Sequence, residues 1–195
     1  MKATTEDERP SMSSSVHIEQ APEKNSMKKE IWEWVKSIAI ALIAVALIRM
    51  FLFTMIRVDG HSMDETLQDN ERIAVTILDM KLGAPQRQDI VICTYPGEDH
   101  LCVKRVIGLP GETIELRDGK TYINEVPIEE PYIEHLSMQP FGPYEISEDH
   151  YFVMGDNRAD SKDSRYPGVG ALQKEAISGK ARLICWPFDR FQLIG

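Results

Sequence analysis

The amino-acid sequence predicts a mostly β globular domain carried behind a single N-terminal transmembrane helix. Two features make that prediction: one apolar run of membrane length near the amino end, and after it a series of short β-forming runs separated by Gly, Pro and Asp. A third sets the scale. With 195 residues, 43% of them apolar and 27% charged, the chain can bury one core and carry appendages.

Residues 1–27 are rich in Ser, Glu, Lys and Met, contain Pro10 and Pro22, and show no sustained apolar period, so a disordered tail is expected there. Over 28–55 the expectation is a membrane anchor. Its uninterrupted apolar core, 38–48, is extended by Trp32, Trp34 and Val35 at one end and by Met50 and Phe51 at the other. At about 1.5 Å per residue, about 20 residues cross a hydrocarbon core of roughly 30 Å. Lys36 and Arg49 can snorkel near the two ends, and Trp32 and Trp34 suit an interfacial belt. A buried helix of a soluble protein and a cleaved signal peptide are the rival readings. The small-residue triplet Ala44-Val45-Ala46 lies inside the apolar run with no polar break before it, and the stretch preceding it is too long for a signal peptide. Lys24, Lys28, Lys29 and Lys36 precede or open the span, against Arg49 and Arg57 after it, which keeps the amino end cytoplasmic.

Residues 56–195 are therefore expected as one extracytoplasmic domain. Strands are predicted over 72–78, 89–95, 101–107, 113–116, 121–123, 151–154 and 181–186, with Asp118-Gly119 as the sharpest hairpin turn. About 112–150 reads as a smaller sub-lobe, irregular over 129–149, where Pro, Glu and Tyr accumulate and periodicity is weak. A short helix is predicted over 172–177, stopped at Gly179.

Composition excludes several functions. A net charge of -9 with no basic stripe argues against a nucleic-acid surface. Cys93, Cys102 and Cys185 have neither disulfide-framework nor zinc-site spacing and read as buried strand cysteines, although a turn at 96–99 would set Cys93 opposite Cys102, where an oxidising exterior could join them.

The chemistry is centred on Val58-Asp59-Gly60-His61-Ser62-Met63-Asp64-Glu65-Thr66-Leu67, directly after the anchor. Ser62 reads as a nucleophile, which requires a base within reach and donors for an oxyanion. Lys104 is the candidate base. A lysine can serve only if burial brings its pKa from about 10.4 toward neutrality, a shift of roughly 3 units. Strand alternation puts Lys104 on one face with Cys102 and Val106, an apolar setting. Base rates alone favour a solvated strand lysine.

A second polar block, residues 155–166, follows the apolar strand at 151–154. Its Asp and Asn positions lack the spacing and closing Glu of a calcium loop, so no metal is expected. Instead Ser161 is expected at the lysine amine, with Asp163 and Arg165 paired to fix the loop.

Three blocks, 60–67, 89–112 and 155–166, in this order behind an N-terminal anchor, resemble the type I signal peptidases of bacteria, in their Gram-positive form. The similarity covers most of residues 30–195. The resemblance implies an exported β-rich catalytic domain of the signal peptidase type, a Ser-Lys dyad at Ser62 and Lys104, support from Ser161, Asp163 and Arg165, and a pairing of Asp156 with Arg105. It also implies a substrate with small residues one and three positions before the cut, bound as an added strand. Alternation makes Ile56 and Val58, with Met63 and Val103, candidates for shallow apolar substrate pockets, with plain core packing as the competing reading.

Implied partners are signal-peptide-bearing preproteins, the lipid bilayer and a nearby secretion translocon; no cofactor is called for. Two positions depart from the family pattern: Glu65 stands where proline is usual, and Gln88 where glycine is usual. Losing the proline frees a φ angle just after the nucleophile. Gly60 occupies the place where some members carry an oxyanion serine, leaving the backbone N–H of Ser62 as the expected donor. Two rival functions are an anchored homologue that binds signal peptides without cutting, and a Ser-Lys autoprotease of the repressor kind. The membrane segment argues against the second.

Overall fold

The computed structural model describes residues 24–134 and 138–194, with the side chains of 24–26 and 47–52 outside the description. The tail expected over 1–27 thus lies outside the described residues as far as residue 23. The chain divides into two compact units, one ending at Ala44 and one beginning at Val45.

Helix α1 is Lys24–Leu52. No Gly or Pro occurs between Lys24 and Asp59, so no backbone breaker interrupts it. The chain leaves the helix where β-forming residues find a partner strand: β1, Phe53–Arg57, pairs antiparallel with β2, Arg72–Thr76. The helix covers most of the stretch expected as an anchor over 28–55, beginning at Lys24 and yielding to a strand at Phe53. The described side chains of α1, residues 27–46, are exposed all round the helix. Among the described residues no helix is long and apolar enough to cross a membrane.

After β2 comes a short helix, α2 (Leu78–Leu82), which ends the run expected to stay extended to residue 78. Strands β3 (Ile90–Thr94) and β4 (Leu101–Gly108) form a hairpin. A second sheet follows, built from β5 (Thr113–Arg117), β6 (Lys120–Ile123), β7 (Val126–Pro127) and β8 (Phe141–Glu145) in the order β7-β6-β5-β8. Asp118 and Gly119 join β5 to β6 with φ of 52° and 72°, the geometry of a two-residue hairpin loop. The chain then returns to the first sheet with β9 (His150–Met154), β10 (Leu172–Gln173), β11 (Ile177–Trp186) and β12 (Gln192–Leu193). That sheet runs β1-β2-β11-β3-β4-β9-β10, with β12 on β11, and every pairing is antiparallel.

Two expectations change. The stretch expected to be irregular contains β8, whose Pro143 lacks a donor and is tolerated because β8 is the edge of its sheet. The helix expected over 172–177 is instead β10, a single 3-10 turn (Lys174–Ala176) and the start of β11. Gly179 is no helix stop. It sits in β11 at a register shift, where a Cβ would overlap the Val75 side chain.

The apolar core has three regions. One face of the large sheet packs Val58, Met63, Leu67, Ile73, Ile90 and Ile184; the other packs Val91, Cys93, Val106 and Val153. Between the two sheets lie Ile107, Ile114, Ile146, Phe152 and Met154, with Phe141 and Tyr144 tilted against Phe152 at centroid distances of 5.3 and 5.5 Å.

Candidate active site

Ser62 sits in a tight turn between β1 and β2. Thr66 and Leu67 both donate their N–H groups to the Met63 carbonyl, at 2.8 and 2.6 Å, while the side chains of Met63 and Leu67 are buried in the core. From below, Asn157 donates its N–H to the Ser62 carbonyl at 3.1 Å. The Ser62 backbone is thus held by its own turn and by the loop after β9.

Lys104 is on β4, across from Val91 on β3. Its Nζ lies 2.5 Å from Ser62 Oγ and donates to the Val103 carbonyl at 3.1 Å. The residue is only 4% exposed. Burial drives its pKa below the ordinary lysine value; Cys102, Cys93, Asp163 and Asp156 oppose that shift without cancelling it.

The floor is the loop after β9. Asp163 is fully buried and takes Arg165 in a bidentate pair, Nε to Oδ1 and Nη2 to Oδ2, both at 2.8 Å. It also accepts the Gly155 N–H at 3.0 Å. Asp156, equally buried, takes Arg105 at 2.8 and 2.7 Å and the Thr66 hydroxyl at 2.5 Å. Gly155 has no room for a side chain: a Cβ there would overlap Ser161 Oγ and the Ser62 carbonyl oxygen.

One expected contact differs. Ser161 makes no hydrogen bond to the lysine amine; its Oγ is buried and has no hydrogen-bond partner among the described residues. Gly60 has its N–H donated to Asp69 Oδ1 at 3.0 Å, in a conformation with φ of +96°, so that group is already committed. Ile56, Val58, Met63 and Val103 line a cleft of about 510 Å³ together with Ser62 and Lys104. Val58 and Met63 are nonetheless 3% and 1% exposed and belong to the core as well.

Several site contacts were not anticipated from sequence. Thr66 and Asn157 fall within the quoted blocks, yet nothing in their spacing announces which atoms they meet. Arg158, 5% exposed, donates to the Gly155 carbonyl at 3.1 Å and pairs with Glu130 from beyond β7. Glu65 accepts the Glu134 N–H at 2.6 Å. Among the described residues no cluster of His, Cys, Asp and Glu could hold a metal ion.

The family described as "Signal peptidase, peptidase S26" matches residues 31–186. Signal peptidase I S of Bacillus subtilis (strain 168) is 40% identical over 182 residues, covering 87% of this chain and 97% of that one. Signal peptidase IB of Staphylococcus aureus (strain COL) is 35% identical over 184 residues, covering 85% and 95%. Among solved structures, the crystal structure of a signal peptidase I from Enterococcus faecalis V583 is 36% identical, covers 49% of this chain and 95% of that one, and superposes with a TM-score of 0.45. The match spans most of the chain and nearly the whole of each relative, so the chain belongs to the signal peptidase family, peptidase S26, as a serine hydrolase of the type I kind.

Proposed function

We propose that the chain is a membrane-anchored endopeptidase that removes N-terminal signal peptides from exported preproteins with a Ser62-Lys104 dyad, cutting after small-x-small motifs. The observation that carries this reading is the buried lysine amine 2.5 Å from the serine hydroxyl. A desolvated amine is neutral over a wider pH range and can accept the hydroxyl proton. Ser62 Oγ then bonds to the scissile carbonyl carbon, and the oxyanion is met by the Ser62 N–H. The C–N bond breaks as Lys104 returns the proton to the leaving amine. Water then attacks the resulting ester and gives a proton to the same lysine, which passes it to Ser62 Oγ as the C–Oγ bond breaks and the carboxylic acid leaves.

Asp163 with Arg165 and Asp156 with Arg105 hold the floor in place. Ser161, with an uncommitted hydroxyl, is available to the lysine amine once the charge develops. The scheme uses no metal or cofactor. Preproteins bind as an added strand, their small side chains entering the cleft beside Ile56, Val58, Met63 and Val103.

The anchor reading is supported by the exposed apolar side chains of α1, among them Ile31, Trp34, Ile38, Ile40 and Leu42, and by a sequence that continues apolar through Ile48, Met50 and Phe51. The lysine excess before the run sets the amino end in the cytoplasm and the catalytic domain outside. A second lipid contact is supported by one row across the large sheet: Met55, Ala74, Leu183 and Leu193 pair in register, with Met55 and Leu193 61% and 84% exposed. A cell-membrane enzyme of this kind works near the secretion translocon, where preproteins emerge.

The test is cleavage of a purified preprotein by the full chain in detergent beside Ser62→Ala and Lys104→Met, with the new N-terminus read by mass spectrometry. Cleavage after a small-x-small motif by the wild type alone is expected. Retained cleavage in Lys104→Met overturns the dyad, and retention of preprotein without any cutting makes the chain a binder.

A further inference from the structure

Residues 130–134 leave the small sheet and touch, at alternate positions, all three segments that build the candidate site. Glu130 pairs with Arg158 in the loop after β9; its side chain and that of Arg158 are 9% and 4% exposed. The same guanidinium holds Thr121 Oγ1 of β6 at 3.2 Å and the Gly155 carbonyl at 3.1 Å, so the ion pair connects the small sheet to the floor beside Ser62. Tyr132 lies face-on to Arg105, the neighbour of Lys104 on β4, with the guanidinium carbon 3.8 Å from the ring centroid. Its hydroxyl donates to Glu130 Oε1 at 3.1 Å. The Glu134 N–H donates to Glu65 Oε2 at 2.6 Å, three residues beyond the nucleophile.

We propose that residues 130–134 are a brace that positions Ser62 against Lys104, with Glu130 and Tyr132 as its positioning residues and Glu65 as its hold on the nucleophile's turn. The inference rests on the dyad reading above. None of the three touches the reacting atoms. Each holds a side chain or turn that supports the dyad, and the Tyr132 ring covers one face of the Arg105 guanidinium, which pairs with buried Asp156.

The groups nearest Lys104 are Ser62 from the turn, Cys93 from β3, Cys102 from β4, and Asp156 and Asp163 from the loop after β9, the two carboxylates being neutralised by Arg105 and Arg165; Asp59, His61, Tyr95, His100, Asp160 and Lys162 line the same pocket. Burial is the largest influence on the amine, so a loosened brace that admits water raises the pH at which Lys104 loses its proton. A mutation that only destabilises the fold removes active molecules at every pH and leaves that midpoint in place.

The experiment is the pH profile of preprotein cleavage by the full chain in detergent, for wild type, Tyr132→Ala, Tyr132→Phe, Glu130→Gln, Glu65→Ala, Glu65→Gln and Lys104→Met. Tyr132→Ala and Glu130→Gln are expected to lower kcat by about tenfold with KM within about twofold, and to move the acid limb up by about half a pH unit. Tyr132→Phe keeps the ring face, and Glu65→Gln keeps an acceptor for the Glu134 N–H, so each recovers most of what its alanine counterpart loses. Should Glu130→Gln fail to fold, Glu65→Ala, at a half-buried position, carries the same test. An acid limb that stays in place while kcat follows the folded fraction overturns the brace with the dyad standing. Cleavage by Lys104→Met overturns the dyad reading and the brace with it.

Discussion

Arg105 and Asp156 form a two-point ion pair beneath the turn that carries Ser62, with side chains 7% and 0% exposed. Thr66 Oγ1 donates to the same carboxylate, and the Gln88 carbonyl accepts from Arg105 Nη1 at 2.9 Å. Removing one member of a buried pair leaves the other charge without compensation. Asp156→Ala is expected to destabilise the chain by about 3–5 kcal/mol, read by chemical denaturation of the full chain in detergent. Arg105→Lys keeps the charge but loses the fork, and a stability equal to wild type would show that geometry contributes nothing.

If the proposed dyad operates, cleavage should be lost as pH falls through the depressed pKa of Lys104, because only the neutral amine can accept the Ser62 proton. Stability should move in the same direction for a separate reason. Between the folded and unfolded pKa values the unfolded chain binds the extra proton, so stability rises with pH across that window, by about 1.4 kcal/mol per pH unit at most. Below the folded pKa the penalty of burying a charged amine is present in full. Lys104→Met removes the window, and denaturation midpoints from neutral to alkaline pH should then lose this rise.

Gly155→Ala should damage both the fold and cleavage. Its methyl would meet Ser161 Oγ and the Ser62 carbonyl, and Asp163, which holds the Gly155 N–H, has no freedom to yield. Overpacking of this kind costs about 1–3 kcal/mol. A fall in kcat beyond the loss of folded protein, measured on the same sample, is the expected signature of a displaced Ser62.

Cys93 and Cys102 face one another across β3 and β4, and both thiols are free. Burial pushes the Cys93 thiol up to about 12 and raises that of Cys102 as well. At neutral pH the Cys93 thiolate is then about a thousandfold scarcer than in an unperturbed cysteine. Alkylation of the folded chain followed by peptide mass spectrometry should find Cys93 protected until denaturant is added. Rapid labelling of the native protein would contradict the burial argument.

Most strands were legible because alternating apolar runs end at Gly, Pro or Asp, as in 101–107 and 151–154. The serine turn and the 155–166 loop were legible because their polar residues stand in a rare order. The failures have physical causes. Gly142-Pro143 disguised β8, an edge position where a missing donor costs nothing. Leu172, Ala176 and Ile177 mimic a helical period, yet β11 starts at Ile177 because Gly179 lets it approach β2. The contacts of Glu130, Tyr132 and Glu65 could not be read, although Glu65 stands out as a departure from the family pattern, since their partners are distant in sequence and set by how the small sheet lies on the large one.

The chain departs from the large sheet at Gly108 and re-enters it at His150, and Gly108 pairs with Phe152 across β4 and β9. The small sheet is therefore a cassette spliced into one hairpin, with both ends pinned to adjacent strands. Closure entropy grows only logarithmically with loop length, so such an insert can gain or lose residues at its far tip while the catalytic register stays unchanged. Length variation among relatives should accumulate there, and a foreign peptide grafted between β5 and β6 should leave the protease working.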